Sequence, residues 1–313
     1  MSKRLEELLM KQDRLLTERA QGYGNADNSY VASLLFPQVN VDEEFVRVPE
    51  YGKEHLRIYK TERALHAGSN NAEPEGIKDQ GFVLEEHDLQ FAIDYREART
   101  ARKRFDLEAQ KARQIQDAFA LKNEYLCASL AQNPAVYSAN NKIALSGTDK
   151  WTNAASKPID QLLEGRSGVR QACGRYPNTL VLGSRAYESL HTNKQIQDRL
   201  LYRSAGVLSV DILRELTGVQ RIGIAQSVWH DEASNQFVDV WQDVAIMAYV
   251  PVADSTQTSE YTSAFGYRFV YTGFPSYDKY QKEGGKVNYV RGTTIQKTAL
   301  LNADLGFLIT SIV

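Results

Sequence analysis

DYREARTARKRFDLEAQKARQIQDAFALKNEYLCASLAQN, residues 94–133, is the stretch that decides the fold. No Gly occurs between Gly81 and Gly147 and no Pro between Pro74 and Pro134. The intervening residues are mostly Ala, Leu, Glu, Gln, Lys and Arg, which favour helix. Asp94 followed three residues on by Glu97 has the form of a capping box, and Pro134 supplies the stop. The pattern predicts one uninterrupted helix, about 55–60 Å long at 1.5 Å per residue. Its apolar stripe is narrow: Ala98, Ala101, Phe105, Ala112, Ile115, Phe119 and Leu126 follow 3–4 spacing. A long helix with one thin stripe lies along something. It is either a coiled-coil partner helix or a structural spine across an extended subunit.

Upstream, residues 2–20 form a short amphipathic helix with Leu5, Leu8, Leu9, Leu15 and Leu16 on one face, ended by Gly22 and Gly24. It is too short to be stable alone. Ser29–Glu50, with Pro37 and Pro49, is expected to be an extended, irregular arm outside the core. A hairpin follows, with strands expected at His55–Lys60 and Phe82–Ile93. Residues 62–81, between them, carry Gly and Pro without periodicity. Such a loop suits an arm ordered by a neighbouring molecule better than a compact domain. Arm, hairpin and long helix are three consecutive elements that cannot bury themselves, which points to assembly.

Downstream the character changes. Ser156-Lys157-Pro158 opens a helix ending at Gly174. A buried strand is expected at Thr179–Leu182. Helices should follow from Ser184 to Leu190, from Asn193 to Tyr202 and over Val210–Leu216, the last closed by Gly218. Val219–Val228 and Phe237–Val250 are expected as two strands joined by the polar turn HDEASNQ. The tail offers Tyr267–Tyr271, a hairpin about Gly284-Gly285, Val287–Ile295 and a final strand, Leu305–Ile312.

The 313 residues allow two domains or one elaborate one. A net charge of −2 argues against a protein whose main task is gripping nucleic acid. Cys127 and Cys173 are the two cysteines, which suggests a reducing compartment and no disulfide framework. No apolar run approaches the roughly 18–20 residues that span a membrane, and the N-terminus lacks a signal-peptide core. There is no GxxxxGK[ST], HExxH or GxSxG and no Cys pair at metal spacing, so no catalytic residue, cofactor or metal is expected. Gly165-Arg166-Ser167-Gly168 lies inside a helical pattern and does not make a phosphate cradle. One charge cluster stands out. Arg96, Arg99, Arg102 and Arg104, with Lys103, crowd the start of the long helix, and Glu85, Glu86 and Asp88 precede it. Either this is a solvated face worth little, or one subunit's basic helix face meets another's acidic surface and sets register.

Trp151, Lys157-Pro158-Ile159, Tyr176 to Gly183 (YPNTLVLG), Ile196-Gln197-Asp198-Arg199 and Leu213–Val219, in that order and spacing, resemble the major capsid proteins of tailed double-stranded DNA bacteriophages. The arm, hairpin and long helix upstream fit the same family, so the resemblance covers most of the chain. It implies an α+β chain of the Hong Kong 97 capsid fold, with N-terminal arm 1–45, E-loop 46–93, spine helix and peripheral domain 94–177, axial domain 178–272 and peripheral C-terminal strands 273–313. It further implies a non-enzymatic virion protein, made in the host cytoplasm, whose hexamers and pentamers close an icosahedral shell around the DNA without sequence-specific binding. The implied partners are other copies of itself, a separate scaffolding protein, a portal and a decoration protein. Some relatives cross-link a Lys of the E-loop to an Asn of a neighbour; Lys53, Lys60 and Lys78 lie in the hairpin and Asn302 near the C-terminal strand, but no motif pairs them. The rivals are an encapsulin-type cellular compartment, an α/β enzyme dimerised through the long helix, and a coiled-coil adaptor.

Overall fold

The computed structural model describes residues 13, 16–17, 30–50, 58–59, 61–63, 65, 68–70, 78–101, 106–202, 207–251 and 263–313. Two five-stranded sheets organise them. The first is built on β13, Val287–Leu300. On one side β13 pairs antiparallel with β4, Glu85–Asp94, over its first ten residues. On the other side β12 (Ser276–Lys282) and β11 (Gly266–Tyr271) follow one another along it. β1, Gln38–Val41, adds in parallel to β11 at the edge.

The expected single helix over 94–133 is two. α2 runs Tyr95–Ala101, with the Asp94 carboxylate accepting from the Arg96 N–H at 2.8 Å. α3 runs Leu107–Ala131. Asp106 between them has extended backbone (φ −81°, ψ 101°), and its carboxylate accepts from the Ala109 N–H at 3.2 Å. An N-cap outside helical φ/ψ starts a new helix, whatever the propensity on either side. Residues 102–105 lie outside the described ones. The 25 residues of α3 span about 37 Å at 1.5 Å each. Ala112 and Ile115 of α3 bury against Ile93, Tyr277 and Val290 of the first sheet. Gly292 permits that approach, since a Cβ there would stand 2.6 Å from Ile115 Cγ2. Leu16, of the predicted N-terminal leucine face, is buried in the same cluster; Leu5, Leu8, Leu9 and Leu15 lie outside the described residues.

The segment expected to be an irregular arm outside the core is largely ordered and partly buried. Ala32–Leu35 is one helical turn, α1. Val31, Ala32, Leu35 and Phe36 join the main core, and Val39, Val41, Val46 and Val48 join the cluster beneath the first sheet. Alternating burial in QVNV is a strand signal of period two, which Asp42-Glu43-Glu44 interrupts before it resumes in FVRV. The hairpin also differs from expectation. Its strands are β2, Phe45–Glu50, and β3, Lys78–Val83, paired antiparallel in a separate ribbon. Ile58 and Tyr59, within the expected first strand, are not in a strand, and residues 55–57 and 60 lie outside the described ones. Leu84 divides the expected strand Phe82–Ile93, its first part belonging to the ribbon and the rest to the first sheet.

The second sheet has the order β5-β14-β10-β6-β7, where β5 is Lys142–Ala144, β6 Thr179–Gly183, β7 Arg221–Ala225, β10 Ala245–Ala248 and β14 Gly306–Thr310. β6 and β10 are buried along their whole length, as strands at the centre of a two-faced sheet must be. Helices α4 (Pro158–Cys173), α5 (Ser184–Thr192), α6 (Lys194–Tyr202) and α7 (Val210–Thr217) pack around it. Gly174 and Gly218 close α4 and α7 in the left-handed region, at φ 74° and 67°. The expected strands Val219–Val228 and Phe237–Val250 each break in two. The polar turn joins only β8 (Val228–Asp231) to β9 (Gln236–Asp239), a hairpin of its own.

Candidate inter-subunit surface

Among the described residues, the acidic groups singled out in the sequence and Arg96 and Arg99 lie at opposite ends of one strand. Glu85, Glu86 and Asp88 sit on the first half of β4, while Arg96 and Arg99 project from α2 at its far end; all five are exposed. At about 3.3 Å per residue, roughly 20–30 Å of strand separates the two groups. Arg102 and Arg104 lie outside the described residues. Glu85 has a partner in its own subunit: Lys297 Nζ lies 2.5 Å from its carboxylate and holds that carboxyl below its usual range. This exposed pair contributes little to stability. Asp88 faces Arg291, which is forked to Asp278 at 2.6 and 3.0 Å. Arg96 is stacked over Tyr95 and donates to its hydroxyl at 3.2 Å.

Apolar side chains also stand in solvent. On β3 Val83 is 62% exposed, and between the ribbon's strands in sequence Ile58 is 96% and Leu65 88% exposed; Phe237 on the β8–β9 hairpin is 76% exposed. Isolated exposed apolar residues are ordinary, but a two-stranded ribbon carrying several has no core of its own to bury them.

What sequence reasoning missed is a buried polar clamp. Glu124, on α3, is 1% exposed. One carboxylate oxygen accepts from the Val31 N–H (2.9 Å) and from Trp241 Nε1–H (2.6 Å), and the other accepts from the Ala32 N–H (3.0 Å). Burial nevertheless leaves its carboxyl above the usual range, the three donors drawing it part of the way back. One side chain thus ties the N-terminal segment, the long helix and the connection leading into β10. Gln132 makes a second tie: its amide donates to the Val240 carbonyl and accepts from the Gln242 N–H. Nothing local distinguishes Glu124 from a solvated helix glutamate, since its partners lie about 90 and 117 positions away.

Among the described residues no cluster of three or more His, Cys, Asp or Glu could hold a metal ion, and no helix is long and apolar enough to cross a membrane. The Cys127 thiol is buried and pushed up to about 12, so it stays protonated at neutral pH.

Residues 58–223 match the model of the family described as phage major capsid protein E. The chain is 38% identical over 301 residues to the major capsid protein of Burkholderia phage BcepMu, covering 96% of each. A phage-related protein from Bordetella bronchiseptica has the same fold, with a TM-score of 0.80 at 24% identity over 96% of this chain and 97% of that one. The capsid of a native GTA particle superposes with a TM-score of 0.60 at 12% identity, over 92% and 91% of the two chains.

Proposed function

The chain belongs to the phage major capsid protein E family, and from that membership we propose how its parts act in a shell. It is a structural capsid protein with an α+β fold of the Hong Kong 97 type, a virion component that assembles with copies of itself into an icosahedral shell. The observation that carries this is 38% identity to a phage major capsid protein along nearly the whole of both chains.

In our reading, hexamers and pentamers form in the host cytoplasm, with a scaffolding protein, a portal and a decoration protein as partners. They enclose double-stranded DNA without reading its sequence. A chain with 37 basic and 39 acidic residues lets DNA enter and leave without strong adhesion. The chain has no catalytic role. The ribbon Phe45–Glu50/Lys78–Val83 with the residues between its strands acts as the E-loop, α3 as the spine, the first sheet as the peripheral domain and the second sheet with its helices as the axial domain, which moves β4 out of the expected E-loop 46–93, β11 out of the expected axial range 178–272, and α4, β5 and β14 out of the expected peripheral ranges 94–177 and 273–313. The exposure of Arg96 and Arg99 at one end of β4 and of Glu85, Glu86 and Asp88 at the other supports the reading that the basic and acidic faces meet between subunits, Arg102 and Arg104 being further candidates from the sequence.

The test is to express the chain alone and with its neighbouring gene products, then size it by light scattering and negative-stain microscopy. Shells, tubes, or capsomers that close with a scaffold are expected. A monomer or dimer that never assembles would overturn the reading. Native shells filled with a host enzyme in place of DNA would move it to a cellular compartment.

A further inference from the structure

At the C-terminal end of α4, Arg166 and Arg170, four residues apart on one helix face, both stack on the ring of Tyr176, at 4.4 and 5.1 Å from its centroid. Arg175 stacks over Tyr249 at 5.0 Å and donates to its hydroxyl at 3.0 Å. Arg170, Arg175 and Tyr176 are exposed. Among the described residues none of the three guanidiniums is paired with a carboxylate, and Arg166 Nε is buried without a partner. Stacking fixes each guanidinium plane and leaves its outer N–H edge free to fork onto a carboxylate. The same chain carries exposed carboxylates elsewhere. Asp42 and Glu43, between β1 and β2, are exposed. They line an open cavity of about 610 Å³ with Asn40, Phe45 and Arg47.

We propose that the Arg170–Arg175–Tyr176 knob of one subunit docks against the Asp42–Glu43 cavity of a second copy of this chain. This rests on the shell reading above and adds to it an interface that the α2 and β4 charges do not provide. Among the described residues no ion pair joins the two patches within one subunit, so the proposed pairing is between copies. It is a heterologous contact, of the kind that generates rings and closed lattices. Near balance of charge in the whole chain favours a protein carboxylate over nucleic-acid phosphate as the occupant.

The test is reciprocal charge reversal in the full chain. R170E/R175E and D42R/E43R are each expected to reduce shell yield at least tenfold while melting like wild type, and the four substitutions together are expected to restore it. R170Q/R175Q, which adds no repulsion, is expected to reduce yield less than R170E/R175E; it keeps the test open if the reversed variant does not fold. Normal assembly of R170E/R175E or R170Q/R175Q would overturn the proposal. So would loss of packaged DNA from intact shells, or failure of the combined variant to recover. Failure of wild type to assemble in the same assay would instead refute the shell reading.

Discussion

Removing Glu124 tests whether a single side chain holds the N-terminal segment to the body of the subunit. Glu124→Ala leaves three buried donors, the amides of Val31 and Ala32 and the indole of Trp241, without an acceptor. Each orphaned donor costs about 1–3 kcal/mol. Relief of the cost of burying a carboxylate offsets part of the sum, so the net loss is about 3–5 kcal/mol. That is a large share of the roughly 5–15 kcal/mol that holds a domain folded. Glu124→Gln keeps the volume but turns an NH2 toward one of the donors, and costs about 1–3 kcal/mol. Hydrogen exchange read by mass spectrometry over residues 30–36 reports the loss locally, and Trp fluorescence in denaturant reports it globally. Because the folded carboxyl titrates above its ordinary value of 4.5, the folded state binds the proton more tightly than the unfolded one. The group's contribution is therefore greatest at low pH and falls as pH rises from 4.5 through the raised value. The stability difference between wild type and Glu124→Gln should shrink in that direction. A loss under 1 kcal/mol in Glu124→Ala with unchanged protection at residues 31–36, against the 3–5 expected, would refute the reasoning.

At Gly183 a Cβ would lie 2.0 Å from the Gln242 carbonyl oxygen, which is backbone and cannot swing aside. Gly183→Ala should therefore unfold the second sheet or leave the chain insoluble, as a solubility and far-UV circular dichroism comparison will show. Tyr277 is fully buried with its hydroxyl unpartnered. Tyr277→Phe is expected to be neutral or stabilising by up to about 1 kcal/mol, and a fall in melting temperature would count against that. Asp106→Ala removes the cap of α3 and should cost about 1 kcal/mol, with faster exchange confined to residues 107–112.

Elements whose signals are local were legible in the sequence. α4, α6 and α7 lie within a residue or two of expectation because Pro158 opens the first, Asn193 Oδ1 accepts from the Gln195 N–H, Ser209 Oγ accepts from the Ile212 N–H and Gly218 closes the last. The break at Asp106 escaped because propensity summed along a window does not register a residue that leaves helical φ/ψ to cap. The burial of residues 31–48 escaped for a different reason. Two alternating tetrapeptides with an acidic turn between them look like polar coil until distant partners supply the pairing, β11 for the first and β3 for the second. Sheet membership was equally hidden. Nothing in residues 142–144 or 306–310 announces that they are neighbours in the second sheet. The charge pattern of Glu85–Asp88 and Arg96–Arg104 was plain, but a sequence cannot say that Arg96 and Arg99 stand at the far end of the strand that carries the carboxylates.

β14 lies inside the second sheet, between β5 and β10, and not at its edge. Residues 306–310 thus fill a slot in a sheet whose other strands are all made earlier. At about 5–20 residues per second, the stretch from Ala248 to Gly306 takes roughly 3–12 s to synthesise. Through that interval β10 lacks its neighbour β14 and the helices around the sheet lack Phe307 and Ile309 to pack on. A nascent chain that has not yet made β14 therefore cannot present a finished second sheet, and the order in which the polypeptide is made delays a subunit that could join a lattice.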